Sequence, residues 1–146
     1  MSARNTAQRG IEAATAELQR RGARVEPTQE GQSSNHLAVR APDGRPSVVY
    51  VITRTTKAWQ TDARKGTPRA PEEDESRFWL FVDFAASPTD FYIVPESWME
   101  NDINRAHEVF LAEHGGTRPL NPKSTHHGIG TERVAEWRDW WDLLRL

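Results

Sequence analysis

The residues able to do chemistry in this chain fall into three groups. His36, with Asp43 or Asp83 as an orienting acid, would make a general base for metal-independent chemistry. Arg54, Lys57, Arg64, Lys65 and Arg69, opposed between 54 and 69 only by Asp62 and interleaved with Trp59, form a basic arm. Arginine and lysine neutralise phosphates, and an aromatic ring can stack on a base, so the arm suits nucleic acid. His107, His114, His126 and His127 invite a zinc reading, since the first two stand two helical turns apart on one face. Structural zinc sites show tight paired spacings, however, and cysteine is absent, so surface histidines are the plainer account and no metal site is expected. The same absence removes disulfides, thiolate nucleophiles and iron–sulfur clusters. No serine stands in a nucleophile elbow, and Gly115-Gly116 leads into Thr-Arg-Pro rather than a helix, so no phosphate loop is present.

These groups must be positioned by one compact unit, because 146 residues is the size of a single domain. Only 36% of residues are hydrophobic, but six tryptophans and five phenylalanines concentrate the apolar mass in large side chains. The net charge of -2 and pI near 6.2 exclude the global positive field of a nucleic-acid coater, so a nucleic-acid surface must be a local patch. No apolar run approaches the roughly 18 residues of a membrane span, and Met1 to Gly10 has no signal core. A cytoplasmic protein with no membrane contact is expected.

Ala7, Ile11, Ala14 and Leu18 recur at helical spacing, predicting a helix from about Arg4 to Arg21 that Gly22 ends. Ala23 to Glu26 reads as a short strand stopped by Pro27. His36 to Arg40 and Ser47 to Arg54 read as a hairpin around Pro42-Asp43-Gly44. Residues 55–76 lack apolar periodicity and read as a long surface loop, with the acidic run Glu72-Glu73-Asp74-Glu75 beside the basic residues. Phe78 to Phe84 and Phe91 to Val94 form a second hairpin, hydrophobic enough for burial on both faces. A helix then runs from after Pro95 to about Glu113, with Trp98, Ile103, Ala106, Phe110 and Leu111 inward. After a polar loop, a last helix is expected from Thr131, its N-cap, carrying Val134, Trp137, Trp141 and Leu144. Trp59 and Trp140 lie off the buried pattern and are the candidate partner contacts. The fold class is therefore α/β: a single domain with a mixed sheet of about five strands, an N-terminal helix and two C-terminal helices.

Residues Arg40 to Arg54, RAPDGRPSVVYVITR, preceded by NHLAV and followed by Trp59-Gln60, resemble the core hairpin of small PD-(D/E)XK nuclease-like proteins. The resemblance is to the group I intron-associated and Holliday-junction-resolvase-like branch. It extends to Gly22 to Val25, FWLFVDF, FYIVP and the terminal WDLL, and so spans nearly the whole chain. It implies a restriction-endonuclease-like fold and, in active members, an Asp on the first hairpin strand with Glu or Gln and then Lys on the second. Two oxygen ligands hold Mg²⁺ there, and the lysine orients the attacking water.

Carried onto this sequence, the Asp position falls on His36, the Glu or Gln position on Tyr50 and the Lys position on Ile52. The resemblance thus implies the fold and argues against the activity, leaving a dry, packed site in a degenerate nuclease. The expected function is a nucleic-acid- or protein-binding accessory module in genome defence or a mobile element, a setting the resemblance alone implies. The alternatives are an active, Mg²⁺-dependent endonuclease with relocated groups, for which Glu12, His36, Asp43 and Arg54 are the candidates, and a partner-neutralising inhibitor or antitoxin.

Overall fold

The computed structural model describes residues 3–30, 33–70, 75–113, 115 and 126–146. Helix α1 (Ala3–Arg20) is followed by strands β1 (Arg24–Glu30), β2 (Ser33–Arg40), β3 (Pro46–Arg54) and β4 (Trp59–Asp62). Strands β5 (Arg77–Asp83) and β6 (Asp90–Pro95) lead into helix α2 (Glu96–Glu113), then β7 (His126–Ile129) and the single turn α3 (Thr131–Val134). Five strands make one mixed sheet in the order β1-β2-β3-β5-β6, antiparallel except for the parallel pair β3 and β5; β4 and β7 form a second, two-stranded sheet. The expected mixed α/β sheet with flanking helices is what is found.

Strand alternation sorts the core into two layers. Val49 and Val51 of β3, Leu80 and Val82 of β5, and Leu37 and Val39 of β2 face α1, where Ala14 and Leu18 close the layer with Trp141 and Leu144. Ile52, Trp79, Phe81, Tyr92 and Val94 face the other way, under Met99 and Ile103 of α2 and beside Trp59 and Ile129 of the small sheet. Phe78 to Asp83 is consequently buried throughout, as the continuous hydrophobicity of that strand implies. Gly10 sets the helix–sheet distance, because a Cβ there would overlap the Thr53 side chain, with Cγ2 at 2.8 Å. Among the described residues no helix is long and apolar enough to cross a membrane.

Several expectations are corrected. Pro27 does not stop β1, since an edge strand tolerates a missing N–H on its outer side. The stretch 55–76 is not one long loop: Trp59–Asp62 pairs with β7, Ala63–Lys65 forms a 3₁₀ turn, and Arg69 N donates to Asn101 Oδ1 on α2 at 2.7 Å. The polar stretch before Gly130 likewise contains β7. On α2 Ile103 is buried as expected, but its buried companions are Ser97 and Met99, while Trp98, Ala106, Phe110 and Leu111 are only partly buried. The last helix breaks after one turn into 3₁₀ segments at Ala135–Trp137 and Trp141–Leu144, and Gly130 rather than Thr131 occupies its N-cap. Residues 72–74 of the acidic run and His114 lie outside the described residues, whereas Glu75 is buried and its carboxylate accepts from Ser97 N at the start of α2, 2.8 Å away.

Candidate functional site

The hairpin of β2 and β3 places His36 directly opposite Tyr50, as an antiparallel register with a five-residue turn requires. Their ring centroids are 5.1 Å apart, and Tyr50 meets Trp79 edge-on at 5.0 Å. Ile52, two residues on and only 6% exposed, continues into the layer with Trp79 and Phe81. Burial pushes the Tyr50 hydroxyl above the ordinary tyrosine range. The Lys65 ammonium lies over the Tyr50 ring, 4.8 Å from its centroid. The three positions that the resemblance singles out thus hold an imidazole, a phenol and an alkyl chain packed into one aromatic cluster.

This donor set does not fit Mg²⁺, a hard cation that takes carboxylate and carbonyl oxygens. The remaining candidates do not repair it. Glu12 is exposed on α1, and Asp43 is exposed in the β2–β3 turn, where it accepts from Arg45 N at 2.9 Å. The strand from His36 to Arg40 alone carries the chain about 13 Å from His36 toward that turn. Among the described residues no three His, Asp or Glu side chains gather as a metal would need.

Asp83 does not orient His36. It lies beside Arg54 in the parallel register and forms a buried two-pronged pair with it, Nε to Oδ1 at 2.9 Å and Nη2 to Oδ2 at 2.7 Å. Arg54 also lies over the Trp59 ring at 4.4 Å. Trp59 is fully buried and donates Nε1–H to Val82 O, so it stacks within the core and not on a base or partner. The expected basic arm is largely spent on the protein itself. Arg64 pairs with Asp62 at 2.6 Å and Arg69 with Glu100 at 2.7 Å, leaving Lys57 and Lys65 as its exposed lysines. His127 meets Arg133 through Nε2 at 2.9 Å, and Arg133 also holds Asp102. Of the two tryptophans proposed as contacts, Trp140 is 48% exposed, set edge-on against Trp137.

An open surface adjoins the packed cluster. Helix α2 and the small sheet cover β5, β6 and the end of β3, while the same face of β1, β2 and the start of β3 carries exposed Arg24, Glu26 and Arg40 around Ala38 and Val48. A cavity of about 380 Å³ lies there, with Ser76 at its edge. A second, of about 440 Å³, lies along the second half of β3 beside Tyr50, Ile52 and Arg54, among Thr6, Asn35 and Gln60. Arg40 falls on the face of His36 and Ala38 by simple alternation. Arg24 and Glu26 are missed by sequence reasoning, although the same alternation along β1 would assign them to that face once Pro27 is allowed inside the strand.

No family model matches the chain, and no curated protein matches it in sequence. Among solved structures it is similar to a bacterial homing endonuclease, I-Ssp6803I, with a TM-score of 0.54 and 16% identity over 99% of this chain and 95% of that one. At that identity the likeness shows a shared fold and nothing of its activity.

Proposed function

We propose that this chain is a PD-(D/E)XK-type nuclease-like domain that has lost metal-dependent cleavage and serves as a nucleic-acid-binding accessory module. The observation that carries the reading is the cluster of His36, Tyr50 and Ile52, which puts no carboxylate at the three positions where Mg²⁺ would be held. Arg24 and Arg40 on the open sheet face, with Lys65 over the adjoining Tyr50 ring, favour nucleic acid as the partner, because phosphates seek guanidinium and ammonium groups that no carboxylate among the described residues has neutralised. The binding surface in this reading is the open face, with the 54–69 arm contributing chiefly through Lys65. A module of this kind fits a cytoplasmic genome-defence or mobile-element setting.

The test is fluorescence anisotropy with short single-stranded and duplex DNA and RNA, in Mg²⁺, in Mn²⁺ and in chelator, with the products resolved on a gel. Binding that is salt-sensitive, indifferent to metal and free of cleavage is the expected result. Metal-dependent cleavage abolished by His36→Ala would overturn the reading and restore the enzyme. Silence with every oligonucleotide would turn the search to a protein partner at Trp140.

A further inference from the structure

The charges on the open face are arranged at a cost that the fold does not explain. Arg24 and Arg40 stand directly opposite one another across the β1–β2 ladder, on the same face and both exposed. Like charges in directly opposed positions destabilise a sheet. Among the described residues no carboxylate relieves them: Glu26, the next residue of β1 on that face, forms no ion pair with either. Arg54, Arg69 and Arg133, by contrast, each hold a carboxylate. Arg40 is held in place by donating Nη1–H to Gly44 O at 2.6 Å, and the rest of its fork stays available.

We propose that the 380 Å³ cavity holds one nucleotide of a single strand, with its phosphate between Arg24 and Arg40 and the Watson–Crick edge of a guanine on Glu26. The volume lies within the usual range for small-molecule sites. Successive same-face residues of a strand are about 6.6 Å apart, so the guanidinium pair and the carboxylate are spaced on the order of the distance from phosphate to base within one nucleotide. Ala38 and Val48 supply a small, apolar floor between them on which a base plane can lie. The carboxylate decides between ligands. A bare phosphate would meet Glu26 as repulsion, whereas a nucleotide uses both signs of charge. A carboxylate only accepts hydrogen bonds, and guanine presents two adjacent donors, N1–H and the N2 amine, to its two oxygens. Uracil offers one donor flanked by carbonyls. A duplex hides these base edges in pairing, so the site calls for an unpaired nucleotide.

The site rests on the nucleic-acid reading only in assigning the nucleotide to a strand. The test is an amide-resolved NMR titration of the full chain with guanosine, inosine and uridine 5′-monophosphates and with inorganic phosphate, beside anisotropy with guanine-containing and all-uridine single strands. Inosine keeps N1–H and lacks the N2 amine, so it isolates one charge-assisted hydrogen bond. Guanosine monophosphate should shift amides around Arg24, Glu26 and Arg40 and bind about tenfold tighter than inosine monophosphate. Glu26→Ala should equalise the two, and Arg24→Glu should abolish the shifts; all three side chains are exposed, so these variants fold. Equal binding of guanosine, inosine and inorganic phosphate, shifts confined to another surface, or no shifts at all would overturn the proposal. Strand binding that needs Arg24 and Arg40 with no preference for guanosine would overturn the site and leave the function standing. A guanosine preference without strand binding would support the site and fail the strand reading.

Discussion

Arg54 shows how neighbours redirect a side chain that a linear reading assigns to a ligand. Its guanidinium and the Asp83 carboxylate are each nearly sealed from water, so removal of one strands the other as a buried charge. Asp83→Ala should cost about 3–5 kcal/mol in urea unfolding, while Arg54→Met combined with Asp83→Leu should recover most of the loss. Single-variant losses below about 1 kcal/mol would mean that the pair has little structural role. Arg64 is a contrasting case. Its charge is already answered by Asp62 at the surface, so Arg64→Ala should change nucleic-acid affinity less than about twofold, whereas the basic-arm reading requires a larger loss. The chain's two tyrosines, Tyr50 and Tyr92, both have hydroxyls pushed above their ordinary value near 10 by burial. The folded state then keeps protons that the unfolded chain loses, so their stabilisation is complete below pH 10 and is lost as pH rises through the raised folded values. Tyrosinate absorbance should accordingly lag a free-tyrosine control in an alkaline titration, and a rise coincident with the control would contradict the packing of Tyr50 against His36 and Trp79.

Among the elements, α1 and the 55–70 stretch repay comparison. The helix is legible because Ile11, Ala14 and Leu18 repeat at its own period, yet the sequence does not show that Gly10 is the residue letting it approach β3. Gly10→Ala should destabilise by about 1–3 kcal/mol through overpacking against Thr53, and Thr53→Ala in the same chain should restore part of it; thermal melts of the single and double variants decide. If Gly10→Ala is neutral, the close approach is wrong. The 55–70 stretch is opaque for the opposite reason. A four-residue strand paired with another four-residue strand far along the chain has too few residues to show a period, and its one strong signal, Trp59, reads equally as core or as exposed contact. The break in the last helix is hidden too, because Val134, Trp141 and Leu144 bury at spacings that a continuous helix would also give.

At the scale of the whole molecule, binding strength is set by the cations of the open face that lack a carboxylate partner among the described residues. A single strand held by Arg24 and Arg40 on one phosphate and by Lys65 on another should show a salt slope of about -1.4, from about 0.7 per phosphate, and a slope beyond about -4 would require a wider basic surface. Composition foresees this modest field, since a chain of net charge -2 has no positive excess to spread. The sequence by itself determined the elements whose periods run long enough to read, the hairpin that sets His36 against Tyr50, and the residue types at the three metal positions, because these depend on local pattern and chemical identity alone. The tertiary structure alone decided which charges are free. Ion pairs such as Arg54–Asp83 and Arg69–Glu100 join residues about thirty apart, and the exposed group of Arg24, Glu26 and Arg40 exists only because α2 reaches across half of the sheet and stops. Coulombic pairing and burial act through space, and nothing in the order of residues records that distance.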